Sequence, residues 1–347
     1  MDSRESPQTF DQVIGQSAAV ARLQTALTGG RVAHAILLCG PDGSGKRTLA
    51  NLFARALLCE SDDKPCNHCS PCRKALSGNH ADLHVIIPKE EGAKGGPDRA
   101  LSPGTPRLKR KSLGVEEARA IARLIDVRPY EGGRAVVVID SAQELTPAAQ
   151  NALLKTLEEP PAHVVFLLLA ESTAALLPTV LSRCAMVKLA RLNGDDVRRV
   201  LSDRGCPDTE RTAEAAAMAD GLPGRALELL ADEGFWALRE RALQTLQTLA
   251  TTGRLAEAMR FLQDNRANWP RVLDIWERAL RDALVAGSGA RTPSLGGQAP
   301  AALRALDECK LENILLSLFA ARKAMDGNGI YTVVMDHLLI ELLGGIA

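Results

Sequence analysis

Three groups of residues in this chain have the types and the spacing to do chemistry. The first is Gly40-Pro41-Asp42-Gly43-Ser44-Gly45-Lys46-Arg47-Thr48. Glycines at 40, 43 and 45 let backbone N–H groups close around phosphate oxygens. A helix starting behind them adds a favourable partial positive charge. Lys46 stands where the lysine of such a phosphate-binding loop reaches the β- and γ-phosphates. The motif then requires Ser or Thr, whose hydroxyl holds Mg²⁺, and here that residue is Arg47. Thr48 follows one residue late, turned by about 100° around the helix, and does not substitute. The loop can hold the phosphates of ATP and is badly equipped to hold Mg²⁺. Lys46 beside Arg47 leaves metal-independent nucleotide binding physically open. The plainer alternative is a relic loop kept for packing, with Arg47 closing the pocket.

The second group is the apolar run Ala135-Val136-Val137-Val138-Ile139 ending in Asp140. An acid at that point of a buried parallel strand supports Mg²⁺ in P-loop ATPases, and a glutamate directly after it polarises the attacking water. The residue after Asp140 is Ser141, which can neither take that proton nor carry negative charge at neutral pH. Glu144 lies further on.

The third group is Cys59, Cys66, Cys69 and Cys72, spaced C-x6-C-x2-C-x2-C. Four thiolates at short spacing suit tetrahedral Zn²⁺, and a shell closed by four cysteines is structural rather than catalytic. The residues between them are polar and turn-forming, so zinc would be their main source of order. His68 could replace one ligand, but the cysteines already fill the shell. The plainer reading is four free thiols in a loop. Cys39, Cys184, Cys206 and Cys309 are scattered and read as buried or inert.

The elements that must position these groups follow the same order. A helix over residues 18–28 ends at Gly29-Gly30. A strand over 35–39, the glycine loop and a helical pattern over 49–58 come next. Further strands are expected at 83–87, 135–140, 164–170 and 185–189, with amphipathic helices at 115–127 and after the Thr146-Pro147 start signal. Residues 88–112 read as a long insertion with four prolines, four glycines and a basic end at Arg107, Lys109, Arg110 and Lys111. Such a loop is a solvated mobile segment or, as the sharper alternative, an arm on DNA phosphate. From Gly194 the strands cease. Helices are expected at 195–204, 212–219 and 224–231, through 235–285, and, after a glycine-rich break at 286–300, at 303–325 and 330–343.

Bulk composition bounds the reading. The chain has 347 residues, 46% hydrophobic and 24% charged, which fits a soluble globular protein of two or three domains. Aromatics are only 3% and formal net charge is zero, so any grip on nucleic acid must be local. No apolar run is long enough to span a bilayer, and the N-terminus carries no signal-peptide core. The expected location is cytoplasmic, where cysteines stay reduced.

Several motifs then occur together and in order: Phe10 with Ile14-Gly15-Gln16, His34-Ala35 before the glycine loop, the four-cysteine insertion directly after the loop's helix, Asn151-Ala152-Leu153-Leu154-Lys155-Thr156-Leu157-Glu158-Glu159-Pro160-Pro161, and Ser182-Arg183-Cys184. Over essentially its whole length the chain resembles the clamp-loader subunits of bacterial DNA polymerase III, an AAA+ family. The degenerate nucleotide motifs (Arg47, Ser141) are similar to those of its non-hydrolysing members rather than its gamma/tau motors.

The resemblance implies an α/β plus all-α fold: an AAA+ RecA-like P-loop domain over 1–190 with the zinc-binding insertion (59–72) and the flexible insertion (88–112), a small helical lid over 191–233, and a helical collar for oligomerisation over 234–347. It implies a five-subunit ring with gamma/tau and delta subunits that loads the sliding clamp onto primed DNA, with no membrane partner. Polymerase chemistry would belong to the holoenzyme, and this chain's own ATPase activity would be absent. In the family, the arginine of Ser-Arg-Cys is a finger reaching a neighbour's γ-phosphate, which implies that role for Arg183. A guanidinium supplied in trans can be worth a factor of roughly 10³ to 10⁵ in rate. Without the family, Arg183 reads as a surface salt bridge. Arg225, in Gly221-Leu222-Pro223-Gly224-Arg225, falls where AAA+ lids place a sensor arginine facing nucleotide; otherwise it is a solvated residue at a helix start.

Two other functions compete. An ATP-hydrolysing motor of the gamma/tau kind needs a metal ligand and a base where Arg47 and Ser141 stand. A zinc-dependent nucleic-acid-binding protein with a vestigial loop is permitted by the cysteines, but neutral charge and scarce aromatics offer it little.

Overall fold

In a computed structural model, residues 7–87, 113–131, 133–287 and 299–346 are described. The insertion expected at 88–112, with its basic end, lies outside them, as does most of the glycine-rich break at 286–300. Two compact units emerge, one of residues 1–206 with 220–225, the other of 207–219 with 226–347.

The first unit is an α/β layer structure. Its strands are β1 (Ala35–Cys39), β2 (Leu83–Ile86), β3 (Ala135–Ile139), β4 (Val164–Ala170) and β5 (Ala185–Lys188). All pair in parallel, in the order β2-β3-β4-β1-β5. A parallel sheet covered on both faces requires strands apolar on both sides, and all seven residues of β4 are buried. The pleat sends alternate side chains to opposite layers. Ile36, Leu38, Val136, Val138 and Leu167 join the core beneath α1 (Ser17–Thr28) and α2 (Lys46–Leu58). Leu37, Val137, Ile139, Phe166 and Leu168 join the opposite core. Helices α4 (Val115–Ile125) and α5 (Pro147–Glu158) cover that side; α3 (Ser70–Leu76) lies between α2 and β2 in sequence. Thr146 starts α5 as its sequence predicts: Oγ1 accepts from Ala149 N at 3.2 Å, and Pro147 takes the first turn. Two short helices, α6 (Pro178–Leu181) and α7 (Gly194–Asp203), complete this unit with the first turn of α9 (Pro223–Ala231).

The sheet order puts β1 and β3 on either side of β4. The glycine loop after β1 and Asp140 after β3 therefore share the C-terminal edge, where α/β sheets bind ligands. Gly40 N donates to Ala170 O at 3.1 Å, tying the loop's entry to the end of β4.

The second unit is all-helical. It contains α8 (Glu210–Met218), the rest of α9, α10 (Glu233–Thr252), α11 (Leu255–Asp264), α12 (Trp269–Gly287), α13 (Ala301–Arg304), α14 (Glu308–Asp326) and α15 (Tyr331–Ile346). Its core is centred on Trp276, fully buried, with Nε1 donating to Ala242 O at 2.9 Å. The single helix expected at 303–325 is two. Asp307 interrupts it, because its side chain accepts from Lys310 N at 2.8 Å and begins α14 as an N-cap. No helix among the described residues is long and apolar enough to cross a membrane.

Candidate functional site

The glycine loop has the backbone that its sequence requires. Gly43 (φ +78°) and Gly45 (φ +94°) lie in the left-handed region that side-chain-bearing residues avoid. Gly45 then caps α2, whose first residue is Lys46. Lys46 is buried, and its Nζ donates to Gly40 O at 2.7 Å and Pro41 O at 2.9 Å. Gly40 is also shaped by its surroundings: a Cβ there would meet Leu189 O at 2.7 Å. Gln16, buried, braces the loop from behind. Its Nε2 donates to Ala190 O at 2.7 Å and Ser44 O at 3.5 Å, and its Oε1 accepts from Ala190 N at 3.1 Å.

Arg47 makes the decisive departure. Its Nε is hydrogen-bonded and ion-paired to Asp140 Oδ2, with Asp140 almost fully buried and Arg47 about a quarter exposed. The two positions that hold Mg²⁺ in working sites of this kind here hold each other. Thr48 is partly buried on the same first turn and takes no part in the pair. Ser141 follows in a left-handed conformation, φ +55° and ψ +51°.

Arg225 reaches the loop through its backbone. A Cβ on Gly43 would stand 2.9 Å from Arg225 N, and Gly224 N donates to Gly43 O at 2.9 Å. The Arg225 side chain itself pairs with Asp220 at 3.3 Å and is well exposed. Arg183 joins none of the loop residues. Its Nη2 pairs with Glu158 Oε1 at 2.6 Å, and its Nη1 donates to Thr179 O at 2.8 Å and Ser182 Oγ at 3.3 Å.

The four cysteines converge. The sulfurs of Cys59, Cys66, Cys69 and Cys72 all lie within 4.8 Å of one another, with Cys59 and Cys69 at 4.0 Å. Tetrahedral ligation at about 2.3 Å needs sulfur–sulfur edges of about 3.8 Å, so the donor set fits a divalent ion with small adjustments. Cys66 N donates to Cys59 Sγ and Cys69 N to Cys66 Sγ, both at 3.4 Å. Burial pushes the Cys59 and Cys72 thiols up. Burial also acts upward on Cys66, but the N–H groups of Cys69 and His68 and the neighbouring thiols outweigh it and hold Cys66 at about 6. His68 stays outside the group, with Nδ1 against Cys66 O at 2.7 Å. Helix α3 carries buried Cys72 and Ala75, the latter in the core beside α2. Of the other cysteines, burial raises Cys184 to about 11, whereas Cys309 is exposed rather than buried.

Residues 15–193 match the protein family described as DNA polymerase III, delta subunit. The delta-prime subunit of Haemophilus influenzae is 32% identical over 238 residues, 68% of this chain and 62% of that one. The delta-prime subunit of Escherichia coli is 31% identical over 271 residues, 78% of this chain and 75% of that one. The chain belongs to the delta-prime family of DNA polymerase III clamp-loader subunits.

The tau subunit of Salmonella typhimurium is 32% identical over 303 residues, 85% of this chain but 41% of tau. The chain thus spans about three-fifths of the Haemophilus delta-prime subunit and two-fifths of tau. A solved gamma-subunit-related protein from Thermotoga maritima aligns over 94% of this chain and 99% of its own, at 15% identity and TM-score 0.40. The parallel sheet, the loop after β1 and the helical second unit together are the AAA+ α/β plus helical fold expected for the delta-prime family.

Two residues that hold these groups in place carry no local sequence signal for doing so. Glu158, the partner of Arg183, was visible only as part of a motif. Nothing local in the sequence signals that the Gln16 amide reaches residue 190.

Proposed function

We propose that this chain is a clamp-loader subunit that does not hydrolyse ATP and completes a neighbour's active site instead. The observation carrying the first half is the Arg47–Asp140 pair. Metal-assisted phosphoryl transfer needs both positions free for Mg²⁺, and needs a base where Ser141 stands. The phosphate loop remains a cationic cradle, able to take nucleotide phosphates through its N–H groups and Lys46, with any bound ATP left unhydrolysed.

The second half assigns Arg183 as the arginine finger. Its guanidinium already bridges the end of α5 and the end of α6. Reaching a γ-phosphate would exchange the Glu158 carboxylate for a more highly charged anion, which favours the exchange. Arg225 is proposed to sense the loop's occupancy through the Gly43–Gly224 contact. The cation of the four-cysteine module is proposed to be structural zinc. On this reading residues 1–190 form the nucleotide domain, 191–233 the lid and 234–347 the collar. The chain works in a five-subunit ring with gamma/tau and delta subunits, loading the sliding clamp onto primed DNA in the cytoplasm.

The test is ATP turnover by the purified chain, alone and reconstituted with gamma/tau, delta, clamp and primed DNA. The chain alone should be inert. Arg183→Ala should lower turnover of the assembled loader without preventing assembly. Turnover by the isolated chain, lost on Lys46→Ala, would instead support the motor reading, to which the tau similarity over 85% of this chain lends weight. An unchanged rate with Arg183→Ala would remove the finger assignment.

A further inference from the structure

The four-cysteine module adjoins a buried charge that no carboxylate among the described residues answers. Arg55, on α2 one turn before Cys59, is 2% exposed. Its Nη1 donates to Gln8 Oε1 and Asn67 Oδ1, both at 2.9 Å, and its Nη2 to Pro7 O at 3.0 Å. All three acceptors are neutral, and Nε has no partner among the described residues. A guanidinium keeps its proton in proteins, so this charge cannot be shed. A buried charge persists where an opposite charge stands nearby. The group that can supply one is the cysteine module: Cys72 Sγ lies 4.0 Å from the main-chain O of Arg55, and Asn67, which the guanidinium holds, stands between Cys66 and Cys69. Four thiolates around a divalent cation carry two negative charges in excess.

We propose that Arg55 is the counter-cation of the metal–thiolate centre, a positioning residue that the cysteine motif does not announce. This rests on the metal reading above. The same guanidinium fastens Pro7 and Gln8 to Asn67, whose Nδ2 returns a bond to Gln8 O at 2.8 Å. Asn67 sits between two ligands in a left-handed turn, φ +64°. The metal loop and the segment ahead of Phe10 therefore share one charged clasp.

The test uses the full chain loaded with zinc and titrated with a chromophoric chelator, reading zinc per chain and the chelator concentration that removes half. Arg55→Lys keeps the charge and changes the hydrogen bonds. Arg55→Gln keeps hydrogen-bonding capacity and loses the charge. Gln8→Ala removes one neutral partner and keeps Arg55. The expected result is that Arg55→Gln weakens zinc retention by roughly 10- to 100-fold, as loss of an outer-shell partner does. Arg55→Lys should recover much of it, and Gln8→Ala, which leaves the charge in place, should weaken retention less than Arg55→Gln does. Zinc retention in Arg55→Gln equal to or better than in Arg55→Lys overturns the counter-cation role, and so does wild-type retention in Arg55→Gln. A wild-type chain that holds no zinc overturns the metal reading itself, and the two failures are told apart by that first measurement.

Discussion

Arg47 and Asp140 define what the pocket can do, and single substitutions expose it. Arg47→Ser removes the guanidinium from a buried carboxylate and supplies the missing hydroxyl. Because Arg47 is about a quarter exposed, the cost is set below the full range for a buried pair, at about 2 kcal/mol. Mg²⁺ should return part of that stability in the variant and leave the wild type unmoved, as thermal melts with and without the ion will read. His80 offers a pH test. It is buried, and its Nδ1 accepts from Asp82 N at 3.1 Å, so the fold requires the neutral ring. Burial lowers its pKa, against the smaller upward pull of Glu131 and Asp82. The unfolded chain then binds the proton more readily than the folded one, so this contribution is complete above about pH 6.5 and falls away below it. An NMR titration should place the His80 midpoint below that value; a midpoint above it would contradict the burial argument.

At the scale of elements, the glycines of two separate segments depend on each other. A Cβ on Gly224 would stand 2.7 Å from Gly43 Cα, backbone against backbone, with no flexible side chain to yield. Gly224→Ala should cost about 1–3 kcal/mol, as overpacking does, and should weaken any nucleotide binding by displacing the loop. Retention of both stability and binding would show that this contact is soft. Much of this architecture was legible beforehand, for reasons that can be named. The run over residues 135–139 could only be a strand buried on both faces, and Thr146-Pro147 could only begin a helix, because each pattern answers a local backbone demand. The cysteine spacing declared its convergence in the same way. The pairing of Arg47 with Asp140, Arg183 with Glu158 and Arg55 with Gln8 was not legible, because each joins residues that only the tertiary fold makes neighbours. The break at Asp307 has the opposite cause: helix propensity is high on both sides, and the single Asp307 cap on Lys310 N is enough to end one helix and begin another.

At the scale of the molecule, the two units carry separate cores and separate reporters. Trp236, Trp269 and Trp276 all belong to the second unit, and the cysteine module to the first. Stripping metal with a chelator should therefore lower the far-UV circular-dichroism transition while leaving the tryptophan-emission transition in place. A tryptophan transition that moves equally would mean that the units unfold as one. The Arg47–Asp140 pair also couples two distant positions of the chain. A change toward metal-assisted hydrolysis in this pocket would need at least two substitutions, at positions 47 and 141. Arg47→Ser alone exposes Asp140 to dependence on Mg²⁺ while still lacking a base after it. Ser141→Glu alone places a third charge beside a pair that is already balanced. On the proposed reading neither change alone supplies both the metal ligand and the base, and Arg47→Ser also gives up a buried ion pair. The bond between two side chains works here as a double lock: positions 47 and 141 must both change before a metal and a base could stand together in this pocket.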